Sequence, residues 1–234
     1  MVDRHRSGRE ALLLLLVPPA VVVAALAGLH SVWAVFLTYH FGICLLWPLI
    51  DNVLLRRRSW RAHAREVGWT GGRVGAGLLA GLVVGVAMAA GSWLGFKLLE
   101  GVLLVDQRVL DGLAGWGIDR SHSGALLAVM LLLNGPAEES YWRGHVQTRL
   151  AGWRPRPAAI AAAALAYASY HGVTLLVLLG SWSAALPALL AVFAAGCFWG
   201  WLRERLGNAW PAMLGHAGAT VGYMIVYWGR FARP

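Results

Sequence analysis

The chain is short of charge. Of its 234 residues, only 13% are Asp, Glu, Lys or Arg, about half the share found in a soluble domain, while 59% are hydrophobic. That deficit argues against a soluble globular protein. Cysteine is equally scarce: Cys44 and Cys197 each stand alone in an apolar run, which offers neither a disulfide framework nor a metal spacing and leaves them packing roles. Lysine occurs once, at Lys97, against nineteen arginines. With abundant Ala, Gly and Trp, that habit suggests a GC-rich bacterial genome and a bacterial inner (cytoplasmic) membrane. Long internal repeats and low-complexity linkers are also missing, so a single compact membrane domain is expected.

Long apolar runs are what the sequence does have. They recur near the roughly twenty residues needed to cross about 30 Å of hydrocarbon: Ala11 to Leu29, Val32 to Ile50, Val74 to Phe96, Gly124 to about His145, Ala158 to Gly180, Ala184 to Leu202 and Ala209 to Trp228. The expected fold is therefore all-α, a polytopic transmembrane helical bundle of about seven spans. Only His30 and Ser31 separate the first two runs, which makes either a tight helical hairpin or one long broken helix. The first run is too long for a removable signal and ends in no A-x-A-like site, so it reads as a retained span.

Basic residues set the orientation, because Lys and Arg of short loops stay on the cytoplasmic side. A cytoplasmic N-terminus and seven spans place fourteen arginines inside and leave five basic residues outside, Lys97, Arg108, Arg120, Arg230 and Arg233, with Arg143 inside a span. The net charge of +9 then needs no nucleic acid; topology and anionic lipid headgroups account for it. The densest basic stretch, LLRRRSWRAHAREVGW, is expected to lie on the cytoplasmic leaflet as an interfacial helix. Many of the tryptophans, among them Trp47, Trp93, Trp182 and Trp228, fall near span ends, where indole anchors at the interface. Gly77, Gly81 and Gly85 repeat every four residues, the pattern of a close helix-packing seam.

Nine of the eleven acids sit in the N-terminal tail, in loops or at span edges: Asp3, Glu10, Asp51, Glu66, Glu100, Asp106, Asp111, Asp119 and Glu204. Glu138 and Glu139, in Asn134 to Gly144 (NGPAEESYWRG), alone fall within a membrane segment. Ionisable groups there are costly unless paired or facing a polar cavity, which makes them functional candidates. Glu139 and Arg143 are four apart on one helix face and can neutralise each other. Glu138 is turned about 100° from Glu139 and needs other company. His171 in YASYHG and His216 in PAMLGHAGAT can share its depth in the membrane. Asn134-Gly135-Pro136 should kink or restart the helix just before it, because Pro136 has no N–H to bond one turn back. His30, His40 and His145 read as lone histidines bonded to neighbouring carbonyls or lying near an interface. Tyr141, Trp142 and Tyr167 read as cavity walls.

A carboxylate, two imidazoles and water suit intramembrane peptide hydrolysis. The sequence lacks H-E-x-x-H, G-x-S-x-G and G-x-G-D, so zinc, serine and aspartyl chemistries have no signature, and no metal or cofactor is expected. Three motifs in order resemble the CAAX prenyl protease and bacteriocin-processing membrane proteins, the lysostaphin-resistance-like or Abi family. They are Glu138-Glu139-x-x-x-Arg143 followed by Gly144, Tyr167-x-x-x-His171 with tyrosine for the usual phenylalanine, and His216-x-x-x-Thr220, where the family has Asn or Asp.

The resemblance implies a glutamate-dependent endopeptidase without a metal. Glu138 would be the general base and His171 its assistant, while His216 would stabilise the oxyanion and Glu139 with Arg143 would hold the scaffold. Thr220 stands where the family's amide shares the oxyanion task; its hydroxyl either does so or bonds its own helix. On this basis residues 1–122 would hold the N-terminal spans and basic segment, and 123–234 the catalytic core. The substrate would be a membrane-embedded or membrane-tethered peptide or protein, such as a bacteriocin leader or a C-terminal sorting tail. A catalytically idle immunity or scaffold protein, and an ion or metal carrier using the Glu/His cluster, are the competing functions.

Overall fold

The computed structural model describes residues 4–98 and 106–232. Asp3, Glu100 and Arg233 lie outside the described residues. Every regular element among those described is helical: α1 (4–28), α2 (Val32–Leu55), α3 (Trp60–Glu66), α4 (Val74–Leu98), α5 (Asp106–Gly115), α6 (123–151), α7 (Arg156–Leu179), α8 (Trp182–Leu206) and α9 (Trp210–Tyr227, continuing to 232). Five stretches are long and apolar enough to cross a membrane: Arg9–Gly28, Val32–Leu55, Val74–Leu98, Arg156–Leu179 and Trp182–Leu206. The other two runs expected to span, in α6 and α9, are helical and packed among these five.

The first two runs form the tight hairpin. His30 turns the chain with φ +49°, and the Ser31 side chain accepts a hydrogen bond from the N–H of Ala34 at 3.2 Å, capping α2. Over residues 36–46 and 50–55, α2 uses the wider i→i−5 bonding of a π-helix. A wide turn re-aims the side chains that follow it, and such turns cluster at functional sites.

Burial is turned inside out in α4. Leu79, Leu82, Val83 and Val86 are 60–72% exposed, while Gly77, Gly81 and Gly85 are buried. Large apolar side chains facing outward suit lipid, and glycines facing inward let backbones approach. The approach is to α9: a methyl group on Gly81 would lie 2.8 Å from Leu214 Cδ1, and one on Gly218 would collide with the backbone of Gly85. α7 and α8 form a second hairpin through Gly180 (φ +78°), and Ser181 caps α8. α6 lies between these layers, and of its residues 134–147 only Pro136 escapes full burial.

Beyond the end of α2 at Leu55, the basic segment is helical only over Trp60–Glu66, and it is pinned to the bundle rather than simply lying on a leaflet. Glu66 is the pin. Its Oε1 accepts from Asn52 Nδ2 at 3.0 Å and meets His145 Nδ1 at 2.8 Å and Arg149 Nε at 3.2 Å, while Arg58 pairs with Oε2. Val67 packs so closely on α6 that a methyl group at Gly144 would lie 2.5 Å from its Cα. Trp60, Arg61 and Arg65 stay exposed on the other side.

Burial pushes the Glu66 carboxyl up, but the His145 hydrogen bond and the Arg149 charge overcome it and hold the group at about 2. A depressed carboxylate stabilises the folded state above its ordinary value of 4.5, and that contribution is lost as pH falls toward 2. Amide protection across residues 60–67, corrected for intrinsic exchange, should therefore fall through this window. Glu66→Gln should lower it about tenfold or more at neutral pH, since an uncompensated Arg149 is left behind; hydrogen-exchange mass spectrometry reads both.

Candidate active site

Pro136 does not break α6. The dihedrals of Asn134 (−54°, −65°) and Gly135 (−59°, −53°) stay in the right-handed helical region. The helix instead widens over Met130–Asn134, and regular α-helix resumes at Gly135 with Pro136 in its first turn. The restart expected near Asn134 or Gly135 is thus a wide turn inside a continuous helix, since a π-bulge re-satisfies the backbone groups that a proline frees. Asn134 makes no capping bond, so its side chain is free for other partners.

Glu139 is completely buried and Arg143 nearly so. Arg143 Nη1 donates to Glu139 Oε1 at 3.1 Å, the i, i+4 pair the spacing suggests. The guanidinium lies 4.3 Å from the centre of the Tyr167 ring and 5.4 Å from that of Trp199, so two aromatic faces replace much of its lost hydration. A methyl group on Gly196 would lie 2.7 Å from Arg143 Nη2, which is why α8 carries no side chain there. Glu139 Oε1 also meets His216 Nδ1 at 3.0 Å, and Trp199 stacks on the His216 ring at 5.2 Å with 10° between planes.

Glu138, 2% exposed, faces away from that pair. Trp142 Nε1 donates to Tyr39 Oη at 2.8 Å, Tyr39 donates to Tyr170 Oη at 2.8 Å, and Tyr170 donates to Glu138 Oε1 at 2.9 Å. His40 Nε2 adds a contact to the same oxygen at 3.3 Å. Glu138 Oε2 has no hydrogen-bond partner among the described residues and stands 3.8 Å from His216 Nε2. One oxygen of the carboxylate is therefore held, and the other is open.

His171 is half-buried, its ring 4.4 Å from that of Tyr170 and 4.7 Å from that of Tyr167. Its Nδ1 donates to the carbonyl of Tyr167 at 2.9 Å. A carbonyl only accepts, so the hydrogen sits on Nδ1 and the neutral ring keeps an acceptor at Nε2. The structure thus brings Glu138, Glu139, Arg143 and His216 into direct contact and joins His171 to them through Tyr170. Thr220 is fully buried, and its hydroxyl accepts from Tyr223 at 3.4 Å.

Two members of the cluster were passed over on sequence. His40 was expected to bond a carbonyl or sit near an interface, yet it is 4% exposed beside Glu138. Asn134 was read as part of a breaker, yet its Oδ1 is 2.6 Å from His40 Nε2 and its Nδ2 is 3.1 Å from His216 Nε2. Asn134 does carry a signal, since it precedes Glu138 by one helical turn and so shares its face.

Residues 120–222 match the family described as type II CAAX prenyl endopeptidase Rce1-like. Over these residues the chain is similar to that family. The matched stretch holds all three motifs and every site residue except His40 and Tyr39. No curated protein and no solved structure matches the chain. The likeness points to a protease-type hydrolase in general class, and together with the five apolar helices it points to an integral membrane protein.

The Glu139–Arg143 pair makes a stability prediction. Arg143→Met leaves a buried carboxylate with only His216, which should destabilise the protein by about 3–5 kcal/mol. Glu139→Gln combined with Arg143→Met should recover most of that loss. Unfolding in mixed micelles, followed by tryptophan fluorescence, measures both.

Proposed function

We propose that the chain is a glutamate-dependent intramembrane endopeptidase that hydrolyses a peptide bond of a membrane-associated protein or peptide. The observation that carries this function is the divided carboxylate of Glu138, with Oε1 fixed by Tyr170 and His40 and Oε2 unpartnered beside His216. A general base needs that arrangement: rigid placement and one free lone pair for the proton it takes.

In this scheme Glu138 Oε2 accepts a proton from water as the water oxygen attacks the scissile carbonyl carbon. His171, with its free Nε2, assists that transfer and returns a proton to the amine as the C–N bond breaks. His216 Nε2, 3.8 Å from Glu138 Oε2, can take the abstracted proton from that oxygen and as imidazolium support the negative charge on the former carbonyl oxygen until the proton passes through His171 to the amine. Glu139 and Arg143 hold His216 and α6 in register. A groove of about 610 Å³, bordered by Leu127, Leu131, Val221, Met224 and Ile225 with Lys97 and Arg230 also on its wall, lies on the α6 and α9 helices beyond the site residues. It offers room for the apolar flank of a membrane-embedded substrate.

The scaffold and carrier functions make different demands. Among the described residues no group of three or more His, Cys, Asp or Glu side chains is arranged to hold a metal ion. In nanodiscs, with a quenched fluorescent farnesylated CAAX peptide as probe, Glu138→Gln should lower cleavage at least about 100-fold with normal membrane insertion. Activity should rise with deprotonation of Glu138 and fall where the essential acid is lost, and it should survive chelators. Undiminished cleavage or a flat pH profile in that assay would remove Glu138 from the chemistry. Proteome comparison of a deletion strain with its parent identifies the natural substrate.

We further infer seven membrane crossings, with α6 and α9 added to the five apolar helices, a cytoplasmic N-terminus, and a bacterial inner membrane as the location. Arg57, Arg61 and Arg65 are exposed, suited to anionic headgroups. A reporter fused after Pro234 should then signal from the outer face; a cytoplasmic signal would reject the seven-crossing topology.

A further inference from the structure

The Asn134 side chain lies between two imidazoles, and the charges on either side fix which way its amide points. His40 Nε2 faces Glu138 Oε1 at 3.3 Å as well as Asn134 at 2.6 Å. A carboxylate oxygen only accepts, so His40 Nε2 carries a hydrogen, and the amide atom beside it must be the oxygen. The amide nitrogen therefore faces His216 Nε2, at 3.1 Å. On the far side of that ring, Nδ1 meets Glu139 Oε1 at 3.0 Å and must carry the hydrogen. His216 is thus neutral at rest, with hydrogen on Nδ1 and a bare Nε2 that accepts from Asn134.

This has a consequence for the tetrahedral intermediate, whose oxygen needs a donor already in place as its charge develops. Neutral His216 has no hydrogen to give from Nε2. Thr220 stands where the resembled family keeps an amide; it accepts from Tyr223 and keeps a single hydroxyl hydrogen, on a shorter side chain that can bond its own helix backbone. Asn134 Nδ2 has two hydrogens, and His216 takes one.

We propose that Asn134 is the oxyanion donor of this site, its second amide hydrogen binding the oxygen of the scissile peptide carbonyl while His40 and His216 clamp the amide plane. This assignment rests on the peptidase function proposed above. It moves the family's amide from the helix of the last histidine to the turn before Glu138, and it makes His40 a positioning residue that acts through Asn134.

The test uses the full chain in nanodiscs and the same farnesylated CAAX peptide. Asn134→Ala should lower kcat by about 100- to 1000-fold with KM changed by less than about threefold, the signature of a donor used only in the transition state. Adding Thr220→Asn to Asn134→Ala should restore about tenfold or more by returning an amide to the neighbouring helix. Thr220→Val is the comparison: a loss equal to that of Asn134→Ala, or an Asn134→Ala enzyme within about threefold of wild type, would overturn the assignment. A structural readout accompanies these rates. In ¹⁵N-histidine spectra, the His216 signal, identified by its loss in His216→Gln, should show hydrogen on Nδ1 and a bare Nε2. Asn134→Asp, which places a carboxylate against Nε2, should convert it to imidazolium. A wild-type His216 with hydrogen on Nε2 would overturn the proposal whatever the rates. A wild-type protein that cleaves no peptide defeats the peptidase function itself, whereas cleavage undiminished in Asn134→Ala defeats only the role of Asn134.

Discussion

A single oxygen, Oε1 of Glu139, is the anchor of the site. It accepts from Arg143 on its own helix and from His216 on α9, and so fixes the distance between α6 and α9 with buried charge-assisted bonds. Burying an ion pair is costly, and the structure meets the cost with ring faces of Tyr167 and Trp199 around the guanidinium. The result is less a stabilising bond than a specification: α6, α7, α8 and α9 have one relative placement in which every charge has a partner. Glu138, on the adjacent face, inherits that placement.

The division of labour between the adjacent glutamates follows from helix geometry. One carboxylate is turned toward a cation and a histidine, and the other toward hydroxyls and imidazoles, because consecutive residues point about 100° apart. The tyrosine chain from Trp142 through Tyr39 and Tyr170 ends on Glu138 Oε1. Each hydroxyl in it receives one hydrogen and gives one, so the chain has a direction. It holds one lone pair and leaves the other oxygen open.

Much of this was legible in the sequence, because ionisable residues inside apolar runs are few. Glu138, Glu139, Arg143, His171 and His216 stand out against a background of Leu, Ala and Val, and the i, i+4 relation of Glu139 to Arg143 needs no tertiary knowledge. His40 is an intramembrane ionisable residue too, but a lone histidine without a spaced partner gives no hint of its neighbours, which here come from a helix nearly a hundred residues away. Asn134 was hidden by the proline two positions later, which draws attention to the backbone and away from the side chain. The apolar runs gave the helices, and the four-residue glycine repeat of α4 foretold a close seam. Pro136 marks a disturbance in α6 without saying that it takes the form of a wide turn. The pinning of α3 depends on Glu66, His145 and Arg149 meeting across sequence distances that no local pattern records.

The wide turns of α2 and α6 make the site sensitive to chain length in a way that side-chain substitution is not. A π-helical turn accommodates a residue beyond what a regular turn holds, so losing one residue from 36–46 would let α2 settle into ordinary α-helix with no gap in its bonding. The flanking turns would keep their faces, since the wide turn is what absorbs the extra residue, but the side chains within it would be re-aimed, carrying the His40 ring off Glu138 while the helix kept its apolarity and depth. A single-residue deletion in this stretch is a means of disarming the protein without unfolding it.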